Sequence, residues 1–325
     1  MHRYVSRIAR CVLALSCLSA GAAQADTYPD RPVRLVVPFP PGGGSDAVGR
    51  LIAKSLSDSF GQQVVVDNRG GAGGSIGTGT VARAAPDGYT LVLASTSEIA
   101  INPSLYPALG YSTIDDLTPV AMVATTPLAI AVNAGVQANT LAELAALVKQ
   151  QPGRINVASA GTGTITHLSG EMYREQNKLN WVHVPYKGTA PALADLVSGQ
   201  VQVMFVPPPP VLGLAKSGRV KLLAVSGKTR AVSLPDVPTV METGTPGYTV
   251  DNWYGVFTPR GTPAPIVDKL SAAVAQALKQ PDVIEALAAQ GAAPATLDRA
   301  QFTGYVKSEV AKWGGVVRSS GAKLD

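Results

Sequence analysis

The chain has 325 residues, with 27 lysines and arginines against 22 aspartates and glutamates, a formal net charge of +5 at pH 7. Only 2 cysteines and 3 histidines are present, which leaves little material for disulfides, thiol chemistry or zinc. No basic tract of the kind that binds nucleic acid occurs, and no segment after the N-terminus has the unbroken apolar length of a membrane helix.

The first 25 residues read as a secretory signal. Arg3, Arg7 and Arg10 form a basic n-region, an apolar stretch runs from Cys11 to about Ala20, and Ala23-Gln24-Ala25 is a small-residue cleavage site. Cleavage after Ala25 is expected, which places the protein in the periplasm. A lipoprotein signal at Cys17 is the rival, but Ala14 stands where a large aliphatic residue is preferred. Removing the signal takes away both cysteines and His2, leaving His167 and His183. It also removes three arginines, so 24 basic residues face 22 acidic ones and the net charge falls to +2. Roughly 300 residues remain, enough for two domains with sizeable cores.

In chain order, "VRLVVPF" (33–39) has the pattern of a buried strand. Residues 46–60 carry Val48, Leu51, Ile52, Leu56 and Phe60 at helical spacing. "QVVVDN" (63–68) predicts a second strand, the glycine-rich 68–85 a turn and short helix ending before Pro86, and 89–95 a third strand. The alternation argues βαβ units and a mostly parallel sheet. Residues 119–134 are apolar but broken by Pro127, which suggests two strand segments crossing between domains. Thr140 and Glu143 have the spacing of a capping box. Residues 155–176 repeat the opening pattern of strand, Gly/Thr-rich turn and helix. Strands over 181–186, 201–207 and 220–227 alternate with helices over 189–199 and 212–216. A returning strand is expected over 248–259, and helices from Pro263 onward with breaks at Pro281, Gly291 and Pro294. The fold class is therefore α/β, in two lobes each holding a strand–glycine turn–helix unit.

The glycine turns invite comparison with phosphate loops. Gly44 and Gly49 have the G-x-x-x-x-G spacing, but Arg50 and Leu51 occupy the lysine and hydroxyl positions, so a triphosphate site is not supported. "NRGGAGGSIG" (68–77) fails the dinucleotide pattern at Ile76, and "GTGTVA" (77–82) does not follow a strand directly. No nucleophile elbow is present. No catalytic residues, metal site or cofactor are expected. His167 and Glu171 stand four apart, a metal pair at most; a histidine packed near its helix start, and a buried His183, are the plainer readings. Trp253 and Tyr254 could wall a cleft or fill a core, with core favoured.

A glycine turn at a helix N-terminus can still bind an anion. The first-turn amides are unpaired, the helix end carries about half a positive charge, and glycine admits close backbone approach. Ser45, Thr162 and Thr164 can add hydroxyl donors, and a carboxylate suits such a cradle as well as a phosphate. Asp46 would repel an anion, but with Ser45 as N-cap it falls in the first turn, where Arg50 can pair with it.

Several segments together resemble the Bug family, the solute receptors of tripartite tricarboxylate transporters. They are "YPDRPVRLVVPFPPGGGSDAVGRLIA", "VVVDNRGGAGGSIGTGTVARAAPDGYTLV", "INPSLY", "VASAGTGTITHLSGEMY", "VHVPYKGTAPALADLVSGQVQVMF", "LPDVPTVMETGTPGY" and "WYGVFTPRGTPAPIVDKL". The resemblance covers essentially the whole mature chain. It implies a two-domain periplasmic binding protein of the Venus-flytrap type, residues 26–124 with 247–325 forming one domain and 125–246 the other. It implies a small carboxylate in the cleft between them, membrane transporter subunits as partners, a monomeric receptor and no enzymatic activity.

Carried onto this chain, the gripping loops are Phe39 to Asp46, with Gly43, Gly44 and Ser45, and Ser159 to Thr164, with Gly161, Thr162 and Gly163. Ser95, Thr96, Tyr186 and Lys187 are further candidates. Two positions depart from the family pattern. Gly70 replaces a proline, and "VPPPP" (206–210) stands where an Asp-Asn pair could hold a ligand's ammonium. A non-amino carboxylate, aromatic or dicarboxylic, is therefore expected. A periplasmic sensor subunit is the alternative role, and a hydrolase of carboxylic esters or amides the third.

Overall fold

The computed structural model describes residues 28–323. The signal sequence, its cut after Ala25 and the Cys17 alternative lie outside the described residues. Strand β1 (Val33–Val37) leads through helix α1 (Gly44–Phe60) to β2 (Val64–Asn68), and a 3-10 turn (Ala72–Gly74) and α2 (Ser75–Ala82) lead to β3 (Thr90–Ser95). A π-helical turn (Ser97–Ile101), α3 (Asn102–Leu105) and the long β4 (Leu117–Pro127) follow. The second unit runs β5 (Ala129–Asn133), α4 (Leu141–Gln150), β6 (Asn156–Ser159), α5 (Ile165–Gln176), β7 (Val182–Pro185), α6 (Thr189–Ser198), β8 (Val203–Val206), α7 (Pro209–Lys216) and β9 (Val220–Val225). The chain returns in β10 (Asp251–Pro259) and ends through α8 (Ala264–Ala277), α9 (Pro281–Ala289), a short β11 (Ala293–Pro294) and α10 (Arg299–Ser320).

Two sheets result, ordered β11-β4-β10-β3-β1-β2 and β7-β6-β8-β5-β9. The α/β class and the two-domain arrangement are as expected, but both sheets are mixed rather than mostly parallel. Strands joined through a covering helix do run parallel, namely β1 with β2 and β3, and β6 with β7 and β8. The exceptions are the strands that carry the chain between sheets. Strand β10 inserts antiparallel between β3 and β4, and β5 lies antiparallel to β8 and β9. Such strands arrive without a returning crossover helix and so enter their sheet from the opposite end.

Helix α1 shows why these residues fold locally. Val48, Ile52 and Leu56 recur every four residues on the face packed on the sheet and are fully buried, while Lys54 and Asp58 pair at 2.9 Å on the solvent side. The helix stops at Gly61, whose left-handed φ of 63° lets its amide turn back to the Ser57 carbonyl at 3.0 Å. Thr140 caps α4 by accepting from the Glu143 amide at 3.1 Å. The expected box closes one residue further out, since the Glu143 carboxylate accepts from the Asn139 amide at 2.7 Å.

The break at Pro127 does mark a crossing, for β4 belongs to the first sheet and β5 to the second. Both crossings are stitched by one hydroxyl. The Leu128 amide donates to Ser226 Oγ at 2.7 Å, and Ser226 Oγ donates to the Val250 carbonyl at 2.5 Å. Helix α10 spans the two units: the indoles of Trp253 and Trp313 both donate to Glu309 Oε2, at 3.1 and 3.0 Å, and Ser319 Oγ donates to Glu175 on α5 at 2.6 Å. Trp253 is core, as favoured from sequence.

Replacing Ser226 by alanine strands the buried Leu128 amide without an acceptor. We expect a loss of about 1–3 kcal/mol in urea unfolding; a change of only a few tenths would show that the seam does not depend on this hydroxyl.

Candidate functional site

Helix α1 begins with Gly43 as N-cap, and no side chain caps it. Ser45 is thus not the N-cap expected from sequence, because the helix starts earlier and Asp46 orders the turn instead. The Asp46 carboxylate accepts from the Gly42 amide at 2.9 Å, from Arg50 Nε at 3.0 Å and from Asn68 Nδ2 at 2.9 Å. These partners hold its pKa down at about 2, with the Arg50 hydrogen bond foremost, followed after the opposing effect of burial by the Gly42 amide and Asn68. Asn68 Nδ2 also donates to the Phe39 carbonyl at 3.0 Å and so ties the far end of the same loop. The amides of Gly44 and Ser45 have no partner among the described residues. The loop is tied at both ends and presents bare donors, while its one acid is engaged by three partners.

These donors face a cavity of about 520 Å³ between the two sheets. Gly42, Gly43, Gly44 and Val48 line it from the α1 side, and Thr126, Asn252 and Tyr254 from β4 and β10. The opposite wall is Thr189, Ala190 and Leu193 of α6 and Pro207, Pro209 and Pro210 at the start of α7, with Gln290 at the rim. Helix α6 likewise begins without a side-chain cap, at Gly188 with φ 110°, and the Thr189 and Ala190 amides have no partner among the described residues. Tyr254 is 9% exposed, and burial pushes its phenol up to about 12. No residue lining the cavity carries a formal charge.

The second glycine loop lies beside the α6 start, its Ala160 carbonyl accepting from the Gly188 amide at 3.1 Å. None of residues 159–164 lines this cavity. The loop is partly tied internally: Thr164 Oγ1 donates to the Gly161 carbonyl at 2.7 Å and caps α5, and Thr166 Oγ1 accepts from the Ala160 amide at 3.0 Å, while the Thr162 amide has no partner among the described residues. Ser159 Oγ meets His183 Nε2 at 2.7 Å and the Gly163 amide donates to His167 Nδ1 at 3.1 Å. The two imidazoles stack at 3.7 Å, and burial pushes both down to about 4. Thr162 borders a separate open pocket with these histidines. Gly163 abuts the first domain, since a Cβ there would come within 2.3 Å of Leu105 Cδ2. The Glu171 carboxylate is taken by Arg174 at 2.8 Å.

None of the remaining candidates lines this cavity either. Ser95 donates from both its amide and its hydroxyl to the buried Glu98, at 2.8 and 2.7 Å. Thr96 Oγ1 accepts from the Trp253 amide at 3.0 Å and donates to the Asp251 carbonyl at 3.3 Å. Tyr186 donates to Asp195 at 2.6 Å, and Lys187 is exposed. Missed from sequence were Asn68, the α6 N-terminus, Thr126, Asn252 and Gln290. Only the α6 start carried a signal, the Gly188-Thr189 turn.

Because its folded pKa is depressed, Asp46 stabilises fully above the ordinary carboxyl range near 4, and the effect is lost as pH falls toward 2. Asp46→Asn should cost about 1–3 kcal/mol at pH 7 in urea unfolding, with the gap to wild type closing below pH 4. A gap independent of pH would contradict this assignment.

A family model described as the tripartite tricarboxylate transporter family receptor matches residues 48–322. BugT of Bordetella pertussis is 40% identical over 317 residues, covering 96% of this chain and 97% of its own. An R. palustris protein solved with adipate is 35% identical, with a TM-score of 0.79 over 91% of this chain and 100% of that one. MatC from Rhodopseudomonas palustris, solved with bound malate, is 37% identical, with a TM-score of 0.75 over 89% of this chain and 100% of that one. The chain belongs to the tripartite tricarboxylate transporter receptor family, a family of periplasmic solute-binding proteins and not an enzyme class.

Proposed function

We propose that the protein is a receptor for a small organic carboxylate lacking an amino group, dicarboxylic or aromatic, which it captures between its two domains and hands to the membrane subunits of a tripartite transporter. One observation carries this reading: an uncharged cavity bounded by two uncapped helix N-termini, one from each sheet. Such ends offer free N–H groups and partial positive charge to an anion. Each charge-assisted hydrogen bond contributes roughly 1.5–3 kcal/mol, so a few suffice for about −8 kcal/mol, a micromolar dissociation constant. No acid lines the cavity to hold an ammonium group, which argues against amino acids. The R. palustris relatives solved with adipate and malate agree with a carboxylate ligand.

In this reading the receptor is exported with cleavage after Ala25 and acts as a monomer. Residues 26–124 with 247–325 move against 125–246 about the seam at Leu128, Ser226 and Val250. Gly163 packs against Leu105 of the other domain.

Gly44→Val tests the cradle. A Cβ at Gly44 lies 3.2 Å from the Tyr254 hydroxyl, so a branched side chain would fill the approach to the first-turn amides. Calorimetry against a carboxylate found by native mass spectrometry of the purified protein should show at least about a tenfold loss of affinity, with an unchanged circular dichroism spectrum. Unaltered affinity would move the site away from α1. Gly163 is a poor counterpart for this test, because its φ of 76° and the Leu105 contact make any side chain there disruptive to packing.

A further inference from the structure

The second glycine loop enters its helix through a capping arrangement with a titratable partner. Thr164 caps α5 by accepting from the His167 amide at 3.3 Å. In a capping box the residue three positions on is a glutamate or glutamine that reaches back to the N-cap amide. Here that residue is His167, and it reaches one position further out: its Nδ1 accepts from the Gly163 amide at 3.1 Å. A backbone N–H can only donate, so Nδ1 carries no proton and the neutral ring keeps its hydrogen on Nε2.

His183 of β7 completes the arrangement. Its ring stacks on His167 with centroids 3.7 Å apart and planes 16° from parallel, and its Nε2 lies 2.7 Å from Ser159 Oγ. That hydroxyl accepts from the Gly161 amide at 3.2 Å. The two imidazoles thus hold both glycines of the loop, one directly and one through Ser159. The loop in turn holds its neighbours. The Ser159 carbonyl accepts from the Tyr186 amide and the Ala160 carbonyl from the Gly188 amide, both at 3.1 Å, which fixes the turn from which α6 enters the cavity wall at Thr189 and Ala190. On its other side Gly163 lies against Leu105 of the first domain.

A glutamine would supply an acceptor that does not titrate, whereas histidine supplies one only while neutral. The surroundings favour the neutral form. The charged groups around the pair are Glu171 and Arg174 of α5 and Lys323 beyond α10. Arg174 engages the Glu171 carboxylate at 2.8 Å, so among the described residues no free acid faces either ring. Burial foremost, then Arg174 for His167 and the stacked partner for His183, oppose a positive charge.

Resting on the carboxylate-receptor reading, we infer that His167 is a positioning residue for ligand capture: its Nδ1, backed by the stacked His183, sets the Gly163 amide and with it the second glycine loop and the α6 start. A proton on Nδ1 would set N–H against N–H and release the loop.

NMR of the wild-type protein without ligand reads the first part. At pH 7.5 the His167 ring should be the Nε2–H tautomer, and the Gly163 amide proton should shift as His167 titrates, with a midpoint at about 4. Calorimetry at pH 7.5, with whichever of adipate and benzoate binds wild type more tightly, reads the second. His167→Leu, with an unchanged circular dichroism spectrum, should bind at least about fivefold more weakly, the effect of stranding one amide. His167→Asn, which keeps an acceptor near Nδ1, should recover most of that loss while its Gly163 resonance no longer follows pH. An Nδ1–H tautomer, or a leucine variant that binds as well as the asparagine variant, overturns the inference and leaves the carboxylate receptor standing. If the leucine variant does not fold, the tautomer and the pH response of Gly163 in the asparagine variant decide. Failure of wild type to bind any carboxylate would overturn the receptor reading, and the ligand-free spectra would still decide whether His167 sets the loop.

Discussion

The first glycine loop depends on one carboxylate. Asp46 accepts from the Gly42 amide, the Arg50 guanidinium and the Asn68 amide, and those three bonds freeze a loop that contains three consecutive glycines. Glycine alone gives close approach but also the largest entropic cost of ordering. The Asp46 network offsets that cost and leaves the Gly44 and Ser45 amides unpartnered. An anion can then be bound without any lysine or arginine in the cavity, because the donors are already in place and no long side chain has to be immobilised.

The same economy holds across the cleft. Helix α6 brings a second uncapped end from the other sheet, so an anion bound between them would share its charge between the two domains. Ser226 fastens both crossings at one point, and α10 reaches from the Trp253 and Trp313 indoles to Glu175 on α5. The Ser226 backbone bonds the same two strands, its amide to the Leu128 carbonyl and its carbonyl to the Val250 amide, both at 2.8 Å.

Much of the fold was legible in the sequence because its signals are local. The period of Val48, Ile52 and Leu56, the Gly61 stop, the break at Pro127 and the Thr140 cap each act within a few residues, and the segments quoted for the family likeness run in order along the chain. Strand direction was not legible: nothing local to β10 says that it inserts antiparallel between β3 and β4. At the site, the first loop was recognised and the purpose of Asp46 largely understood, since Arg50 lies four residues on. Asn68 was not, because its partner is 22 residues away. The second glycine loop is partly tied by contacts that lie far apart in sequence. Gly161 and Gly163 have the backbone freedom of a ligand loop; Thr166 and His167 take the Ala160 and Gly163 amides, and only the tertiary structure brings His183 beside Ser159.

The central claim is that backbone amides at the starts of α1 and α6 hold the ligand's carboxylate. Amide-resolved NMR during titration with benzoate or adipate reads this directly. The account predicts downfield proton shifts at Gly44, Ser45, Thr189 and Ala190, saturating together with one binding constant. Shifts confined to residues 160–164, with those four amides unmoved, would contradict it.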